Sequence, residues 1–327
     1  MSCMANTSNL LRLSVVVIGL NEEARLRSAL QAVFDTCPAH CELEVFYVDS
    51  GSKDLSVAIA EAMPGVQVLR LQTQRPSAAK ARNMGLAQAR GDYVQLIDGD
   101  SVLQVGWLET AVQALEANSG IACAFGQCVE AFPEQSIYMR VCGLDWHIPA
   151  GDHRLCGGNA MWRREVIAAH GFFDEALQLG EEPDLCYRVR QQGHRIVCVD
   201  QPMVLHDLAM VTFKQYWKRG EATGKAYARV ASRYWRLPEK MWLREVVRNF
   251  MEPLVWAVML VLGSAIVGGV GGGLLALSAW LLLRAVKIAR AVRKRSGGWL
   301  GACLYGLHCQ FIRLPVVVGQ VKGLLQR

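Results

Sequence analysis

The sequence predicts an α/β domain that is built on a doubly wound parallel sheet and followed by an apolar helical tail. Strand-like and helix-like segments alternate from residue 13 to about residue 118, the pattern of a parallel sheet with crossover helices. Polar clusters follow three of these strands, at the edge where such sheets bind ligands. A run of 31 residues without a charge, 253–283, is long enough to hold a membrane-spanning helix.

The predicted strands are apolar runs without polar alternation, which is typical of strands buried on both faces. They are the segments 13–20, 43–49, 66–72 and 91–100. The predicted helices have apolar residues at helical spacing and occupy the segments 21–36, 54–63 and 77–90. Asn21 is the predicted N-cap of the first helix, with Glu22 and Glu23 in its first turn.

The net charge of +6 hides an asymmetry along the chain. Residues 1–209 carry 16 Lys+Arg and 25 Asp+Glu, whereas residues 210–327 carry 19 and 4. An acidic domain joined to a basic, apolar tail suggests contact with a membrane. Eleven cysteines without a CxxC pair favour reduced thiols in a cytosolic compartment.

The fourth strand ends on Asp98-Gly99-Asp100, which places two like charges beside one glycine. Such carboxylates repel each other, and neither belongs in an apolar core. A bound dication would remove the repulsion, and hard cations prefer oxygen ligands. No GxGxxG follows the first strand and no GxxxxGK[ST] occurs, so a dinucleotide fold and a P-loop NTPase both lose support.

Five segments occur in an order and spacing that resemble the family 2 glycosyltransferases. They are SVVVIGLNEE (14–23), VFYVDSGSKD (45–54), KARNMGLAQARGDYVQLIDGD (80–100), GGNAMWRREVIAAHGFFDE (157–175) and LGEEPDLCYRVRQQGHRI (179–196). The resemblance covers about residues 13–225 and implies a GT-A fold, the Rossmann-like fold of nucleotide-diphospho-sugar transferases. It also implies a nucleotide-sugar donor, UDP- or GDP-linked, and a divalent cation, Mn²⁺ or Mg²⁺.

The same resemblance implies a set of binding residues. The DGD segment is similar to the family's DxD motif, so Asp100 is the expected metal ligand and Asp98 is expected to contact the ribose or the sugar. His206 ends a predicted strand and is expected to complete the metal site. The nucleotide-binding residues implied are Gly19, Leu20, Asn21, Glu22, Asp49, Lys80, Arg82 and Asp98. The residues implied beneath the donor or acceptor sugar are Gly157, Gly158 and Asn159, while Trp162 either stacks on a sugar or belongs to the core.

The segment GEEPDLCYR is similar to the family's GEDxDLxxR, which carries the catalytic base. Glu182 stands where the family usually has an aspartate, and a carboxylate here can accept the proton of an acceptor hydroxyl. Asp184 is the second candidate base, and Glu181 is expected to orient the acceptor or the loop. The alternative is that these acids only stabilise the N-terminus of the following helix, where Pro183 also fits.

The boundaries that follow are residues 1–225 for the GT-A domain and 226–327 for an interfacial and membrane-spanning region. Glycines at 268–273 divide the uncharged run into a hairpin of about 247–267 and 272–290. Basic residues flank both outer ends, so the positive-inside rule places them in the cytosol. A further apolar helix, about 298–325 and broken at Pro315, either lies in the interface or crosses. The alternative is a buried hydrophobic helical domain.

These features together predict a metal-dependent glycosyltransferase at the cytoplasmic face of the inner membrane. The family resemblance alone implies that it inverts the configuration at the anomeric carbon. The expected acceptor is lipid-linked or a glycan, membrane lipid is an expected partner, and nucleic acid is not. The alternatives are a polyprenyl-phosphate glycosyltransferase, a nucleotidyltransferase on a similar sheet, and a non-catalytic scaffold. These alternatives differ in their products, which are nucleoside diphosphate, pyrophosphate or none.

Overall fold

The computed structural model describes residues 11–325, and within them the chain forms two compact units. The first comprises residues 11–131 and 147–207, and the second comprises residues 132–146 and 208–325. Residue 225, the predicted end of the GT-A domain, lies inside a helix, Phe213–Tyr234. The chain passes from the first unit to the second between Asp207 and Leu208 instead.

The first unit is built on one nine-stranded sheet within the described residues. Its strands are β1 (Leu11–Gly19), β2 (Cys41–Asp49), β3 (Val66–Arg70), β4 (Tyr93–Asp98), β5 (Ser101–Leu103), β6 (Ile121–Glu130), β7 (Gly151–His153), β8 (Ala160–Arg163) and β9 (Arg195–His206). Their order is β3-β2-β1-β4-β8-β6-β9-β5, and β7 pairs with β9.

The first four strands are parallel, as the sequence predicts, and the rest of the sheet is mixed. β1 lies between β2 and β4 with both pairings parallel. β8 then runs antiparallel to β4, and β5 pairs antiparallel with β9 so that Ser101 lies opposite His206. Because β1, β2 and β4 run in the same direction, the polar residues after each strand meet at one edge of the sheet.

Six helices cover the sheet of the first unit in the part of the chain that is described. They are α1 (Leu26–Asp35), α2 (Ser56–Glu61), α3 (Ala78–Gln88), α4 (Trp107–Glu116), α6 (Arg164–Ala169) and α7 (Glu181–Gln191). The core that they bury includes Trp107, whose Nε1 donates to Gln95 Oε1 over 2.8 Å. Trp162 is 1% exposed in β8 and belongs to this core, which resolves the alternative that the sequence left open.

The prediction that Asn21 caps the first helix is wrong, because α1 begins five residues later at Leu26. Asn21 adopts a left-handed conformation with φ 59°, and its Oδ1 accepts a hydrogen bond from the Lys53 N–H over 2.8 Å. The backbone N–H of Glu22 donates to Ser56 Oγ over 2.7 Å. These contacts fasten the loop after β1 to the loop after β2, and that use of the Asn21 side chain competes with capping.

The second unit consists of helices in its described part. They are α5 (Ile137–Gly143), continued by a 3₁₀ turn (Leu144–Trp146), α8 (Phe213–Tyr234), α9 (Leu243–Gly263), α10 (Gly269–Val292), α11 (Trp299–Phe311) and α12 (Arg313–Leu325). A π-helical turn, Ser264–Gly268, joins α9 to α10 at the glycines where the sequence predicts the hairpin to turn. The break between α11 and α12 falls at Ile312, three residues before Pro315.

Helices α8 and α12 approach each other closely because glycines line their contact. A Cβ on Gly224 would lie 2.0 Å from the Val316 carbonyl oxygen, and one on Gly319 would lie 2.0 Å from the Glu221 carbonyl oxygen. No larger residue fits at either position without moving a backbone. This packing explains why much of α12 is buried inside the unit.

Two stretches of the second unit are long and apolar enough to cross a membrane, by length and composition alone. Leu243–Val292 has a mean hydropathy of 2.2 in its most apolar 18-residue window, and 6% of that window is buried. The corresponding window of Trp299–Leu325 has a mean hydropathy of 1.3, and 44% of it is buried. The α9–α10 hairpin therefore exposes its apolar surface, whereas the second stretch is partly occupied by packing within the unit.

Candidate active site

A cleft of about 280 Å³ opens at the carboxyl edge of β1, β2 and β4. Its lining residues come from the three loops that the sequence singles out and from the start of α3. They are Ile18, Gly19, Leu20, Glu22, Ser50, Pro76, Ser77, Ala78, Asp98, Gly99 and Asp100. Four of the predicted nucleotide-binding residues line this cleft: Gly19, Leu20, Glu22 and Asp98. The other four lie outside its lining: Asn21, Asp49, Lys80 and Arg82.

Asp98, Asp100 and His206 come together from two parts of the chain. One ligand atom from each lies within 4.8 Å of the other two. The Nε2 of His206 lies 3.4 Å from Asp100 Oδ1, because the antiparallel pairing of β5 with β9 sets Ser101 opposite His206. Two carboxylates and one imidazole are suitable ligands for Mn²⁺. These three residues therefore fit a divalent cation.

The electrostatics of the cleft also favour a cation. Burial raises the pKa of Asp100, and repulsion by Asp98 adds to that effect, while His206 partly opposes it. Burial likewise raises the pKa of Glu22 to about 7, although Arg25 lowers it. Burial makes the negative charge of these carboxylates costly unless positive charge lies beside them. A dication would supply the missing positive charge.

Arg82 is a buried arginine that joins the DGD segment to the predicted catalytic acids. Its Nη2 lies 3.0 Å from Asp98 Oδ1, and its Nη1 lies 3.0 Å from Glu181 Oε1 and 3.1 Å from Glu182 Oε1. The guanidinium also lies over the Phe173 ring, 5.5 Å from its centroid. Burial opposes the charge on Arg82, but the three carboxylates outweigh it and raise its pKa. The side chain is thus held in one position by opposite charges.

Gly158 and Asn159 support this arrangement from the loop before β8. A Cβ on Gly158 would lie 2.1 Å from Arg82 Nη2 and 3.1 Å from Asp98 Oδ2, so a side chain here would displace the arginine. Asn159 is buried, its Oδ1 accepts from the Asp98 N–H over 2.9 Å, and its Nδ2 donates to Ser101 Oγ over 3.2 Å. Both ends of the Asn159 amide therefore hold the DGD turn. Gly157 is exposed, with open space around it.

The three acids of the α7 N-terminus differ in access to solvent. The side chain of Glu182 is 20% exposed, that of Glu181 is 6% exposed and that of Asp184 is fully buried. Asp184 Oδ2 accepts from Arg188 Nε over 2.8 Å, and this Arg188 also donates to the Phe172 carbonyl oxygen. Asp184 is therefore part of a structural network, while Glu182 is the most accessible of the three.

Glu181 has a perturbed pKa. Burial and repulsion by Glu182 raise it to about 7, while Arg82 opposes the shift. One guanidinium faces three carboxylates here, so its single charge cannot compensate all of them. This excess of negative charge favours the protonated form of Glu181.

Asp49 and Lys80 shape the loops around the cleft. Asp49 Oδ2 accepts from the N–H groups of Gly51 and Ser52 over 2.9 and 3.0 Å, which fixes the turn after β2. Lys80 Nζ donates to the Arg75 carbonyl oxygen over 3.1 Å and so holds the segment before α3. Asp49 also accepts from the Tyr47 hydroxyl of β2 over 3.4 Å.

Two residues of this edge were missed at the level of sequence. Arg25 forms an ion pair with Glu22, and its Nη1 lies 3.7 Å from Asp207 Oδ2. It is the basic residue nearest to the Asn-Glu-Glu cluster in the sequence, and that proximity was the available signal. Asp207 directly follows His206, but only the fold brings it beside a loop 180 residues earlier.

Comparison with known proteins matches part of the chain to one family model. Residues 14–170 match the family model described as glycosyl transferase family 2. The chain is 25% identical over 178 residues to a glucosyl-dolichyl phosphate glucuronosyltransferase of Haloferax volcanii, covering 46% of this chain and 56% of that protein. Matched segments cover 26% to 56% of the lengths of four curated relatives, this one among them.

Solved structures share the fold. A mannosyltransferase of Pyrobaculum calidifontis, PcManGT, in complex with GDP-Man and Mn²⁺, has a TM-score of 0.68 at 18% identity, with 97% of this chain and 88% of that one covered. Glucosyl-3-phosphoglycerate synthase from Mycobacterium tuberculosis, with Mn²⁺, UDP and its product, has a TM-score of 0.51 at 22% identity, with 68% and 80% covered. The predicted GT-A fold is confirmed by these matches.

Proposed function

Because this chain carries a family 2 glycosyltransferase domain of the GT-A fold, we propose that it transfers a sugar from a nucleotide-sugar donor to an acceptor. The observation that carries the proposal is one constellation at the carboxyl edge of the sheet. Asp98, Asp100 and His206 converge there, and Arg82 links Asp98 to Glu181 and Glu182. A cation-binding group thus stands beside carboxylates that can accept a proton.

In this proposal Asp100 and His206 hold the divalent cation, and Asp98 holds either the cation or the donor. The cation supplies positive charge that stabilises the diphosphate leaving group. PcManGT and the mycobacterial synthase were both solved with Mn²⁺, which supports Mn²⁺ as the first ion to test. The nucleotide lies in the cleft, with its base towards Gly19, Leu20 and the turn shaped by Asp49. One neighbour holds GDP-Man and the other UDP, so both bases are candidates.

Glu182 is the proposed general base. It is the most exposed of the three acids at the start of α7, and a base must reach the acceptor hydroxyl within hydrogen-bond distance. Arg82 orients Glu182 and keeps it close to the donor edge, since the same guanidinium binds Asp98. Attack by the activated hydroxyl on the anomeric carbon, opposite the diphosphate, would invert the configuration there. Glu181 binds the same guanidinium and helps to hold it in place.

The acceptor in this proposal is lipid-linked, and the α9–α10 hairpin holds the chain at the membrane. Two features support this: the exposed apolar surface of Leu243–Val292 and the basic residues at both of its ends. The name of the Haloferax volcanii relative specifies a dolichyl phosphate-linked substrate. Positive residues at both hairpin ends support a cytoplasmic location for the catalytic domain in this proposal.

The experiment is nucleotide release by the full chain purified in detergent. A panel of UDP- and GDP-sugars is tested with membrane lipid extract, in Mn²⁺ or in EDTA. We expect nucleoside diphosphate release that requires the cation. Asp100→Ala and Glu182→Gln should each lower the rate by at least about a hundredfold, the scale of losing a cation site or a general base.

The matched control is Asp152→Asn, which removes a carboxylate that is exposed and paired with Arg195 outside the cleft. It should retain the wild-type rate. Full activity of Asp100→Ala would show that the cation is not held by the DGD segment. Pyrophosphate release from a nucleoside triphosphate would identify a nucleotidyltransferase, and absence of donor binding by calorimetry would indicate a non-catalytic scaffold.

A further inference from the structure

A charged cluster lies at the base of the α9–α10 hairpin and is formed by residues of α9, α10 and α12. Glu252 of α9 is 8% exposed and forms an ion pair with Arg284 of α10. Arg313 of α12 places its Nη1 3.1 Å from Glu252 Oε1. Within the described residues this Nη1 is buried and donates no hydrogen bond, so its contact with Glu252 is an ion pair by distance alone.

The position of the cluster along the chain is informative. Glu252 and Arg284 are the two charged residues that border the uncharged run 253–283, one on each helix. When the run occupies the hydrocarbon core of a membrane, both residues stand where that core ends and the lipid headgroups begin. Arginine side chains at this level reach towards the headgroups.

The charges of the cluster do not balance. Arg248 lies one helical turn before Glu252, on the same face, and its charge together with that of Arg284 repels the charge of Arg313. Arg284 and Arg313 share the carboxylate of Glu252, and Arg248 adds a third positive charge nearby, so the cluster has two more positive charges than negative ones. Arg284 and Arg313 are only 27% and 16% exposed, and partly buried positive charges that share a single carboxylate are incompletely compensated. An anion with two negative charges would compensate them.

We propose that Arg248, Arg284 and Arg313 form a site for the phosphate group of a lipid. Guanidinium groups bind phosphate oxygens in pairs of hydrogen bonds, and a phosphate monoester carries close to two negative charges at neutral pH. The site rests on the membrane association proposed above. Its ligand is either the phosphate of the lipid-linked acceptor or that of a glycerolipid monoester such as phosphatidic acid, since both present the same chemistry at the same depth.

The experiment measures binding to the full chain in non-ionic detergent by calorimetry, with three probes. Farnesyl phosphate is an isoprenoid monoester, dihexanoyl phosphatidic acid is a glycerolipid monoester, and inorganic phosphate lacks a tail. We expect the lipid monoesters to bind at least about tenfold more tightly than inorganic phosphate, because the tail is buried along with the phosphate. Binding of farnesyl phosphate alone would assign the site to the acceptor, and equal binding of both lipids would assign it to headgroups in general.

Two variants test the cluster itself. Arg248→Gln and Arg313→Gln should each weaken lipid binding by about tenfold, the loss of one charge-assisted hydrogen bond. Arg248 is exposed, so its replacement leaves the helix packing intact even where Arg313→Gln destabilises it. The control is Lys294→Gln, which removes an exposed charge from the basic run after α10 and should change the affinity by less than about twofold.

Equal affinity of Arg248→Gln, Lys294→Gln and wild type for both lipids would overturn the proposal, as would inorganic phosphate binding as tightly as the lipids. Nucleotide-sugar binding is measured in the same samples and tests the proposed function separately. Its absence in the wild type would count against the glycosyltransferase proposal and leave the lipid result standing. Intact nucleotide-sugar binding with no lipid binding would count against this site alone.

Discussion

Gly158 offers a sharp test of the link between the donor edge and the catalytic acids. Replacing it with alanine adds one methyl group, which would lie 2.1 Å from Arg82 Nη2. The neighbouring Gly157 has no atom within 4 Å of the same position, so Gly157→Ala is a matched control in the next residue. The pair of variants separates the displacement of Arg82 from any general effect of removing a glycine from this loop.

The size of the effect follows from the distances. Ordinary contact begins at 3.4 Å, so the guanidinium must move by about 1.3 Å. Its 3.0 Å contact with Asp98 then exceeds hydrogen-bond range. Losing one charge-assisted hydrogen bond costs about 1.5–3 kcal/mol, which corresponds to a fall in Tm of about 3–12 °C for a domain of this size. Misplacing a catalytic group by about 1 Å can lower the rate about a hundredfold.

The assays are nucleotide release for kcat/KM and thermal unfolding in the same detergent. Gly158→Ala should lose about a hundredfold in kcat/KM and several degrees in Tm, while Gly157→Ala should match the wild type in both. Wild-type activity in Gly158→Ala would mean that the position of Arg82 has no bearing on the reaction. Equal damage by both alanines would assign the effect to the loop and refute the reasoning from distance.

Two further predictions concern pH and packing. The pKa of Glu181 is raised from 4.5 to about 7, so its protonated form stabilises the fold below pH 4.5 and this contribution is lost as the pH rises to about 7. The free energy of unfolding is measured with denaturant at pH 5 and pH 8, without divalent cation. It should decrease less between these pH values for Glu181→Gln than for wild type, and an identical decrease would contradict the raised pKa. Gly319→Ala should lower the free energy of unfolding by about 1–3 kcal/mol, since its Cβ would lie 2.0 Å from the Glu221 carbonyl oxygen. A Cβ on Gly271 would have no atom within 4 Å, so Gly271→Ala should not lower the free energy of unfolding. Equal thermal stability of the two variants would argue against close packing of α8 on α12.

Features that depend on neighbouring residues were predictable from the sequence. Apolar runs without alternation indicate strands buried on both faces, and the strands found at Leu11–Gly19 and Tyr93–Asp98 lie within two residues of the predicted limits. The turn of the hairpin follows from glycines in an uncharged run, and it lies where they do. Such features can be predicted because the burial of a strand and the position of a turn depend on the pattern of residues close together in the sequence.

The start of α1 was not predictable in the same way. Asn21 has the side chain of a good N-cap, and the residues after it suit a helix. The structure uses that side chain to hold the Lys53 N–H, a contact across 32 residues. A tertiary contact therefore outweighed a local preference, which is why the helix begins only at Leu26.

The amino-acid sequence by itself determined the alternation of strands and helices, the acids that end the strands, and the apolar hairpin. The tertiary structure alone decided which of the polar residues meet. Arg82 reaches Glu181 and Glu182 about a hundred residues away, Asn159 holds Asp98, and His206 meets Asp100 through the pairing of β5 with β9. The physical reason is that the type of a residue determines its charge and its tendency to be buried. The residue that it contacts depends on sheet order and strand register, which are properties of the whole fold.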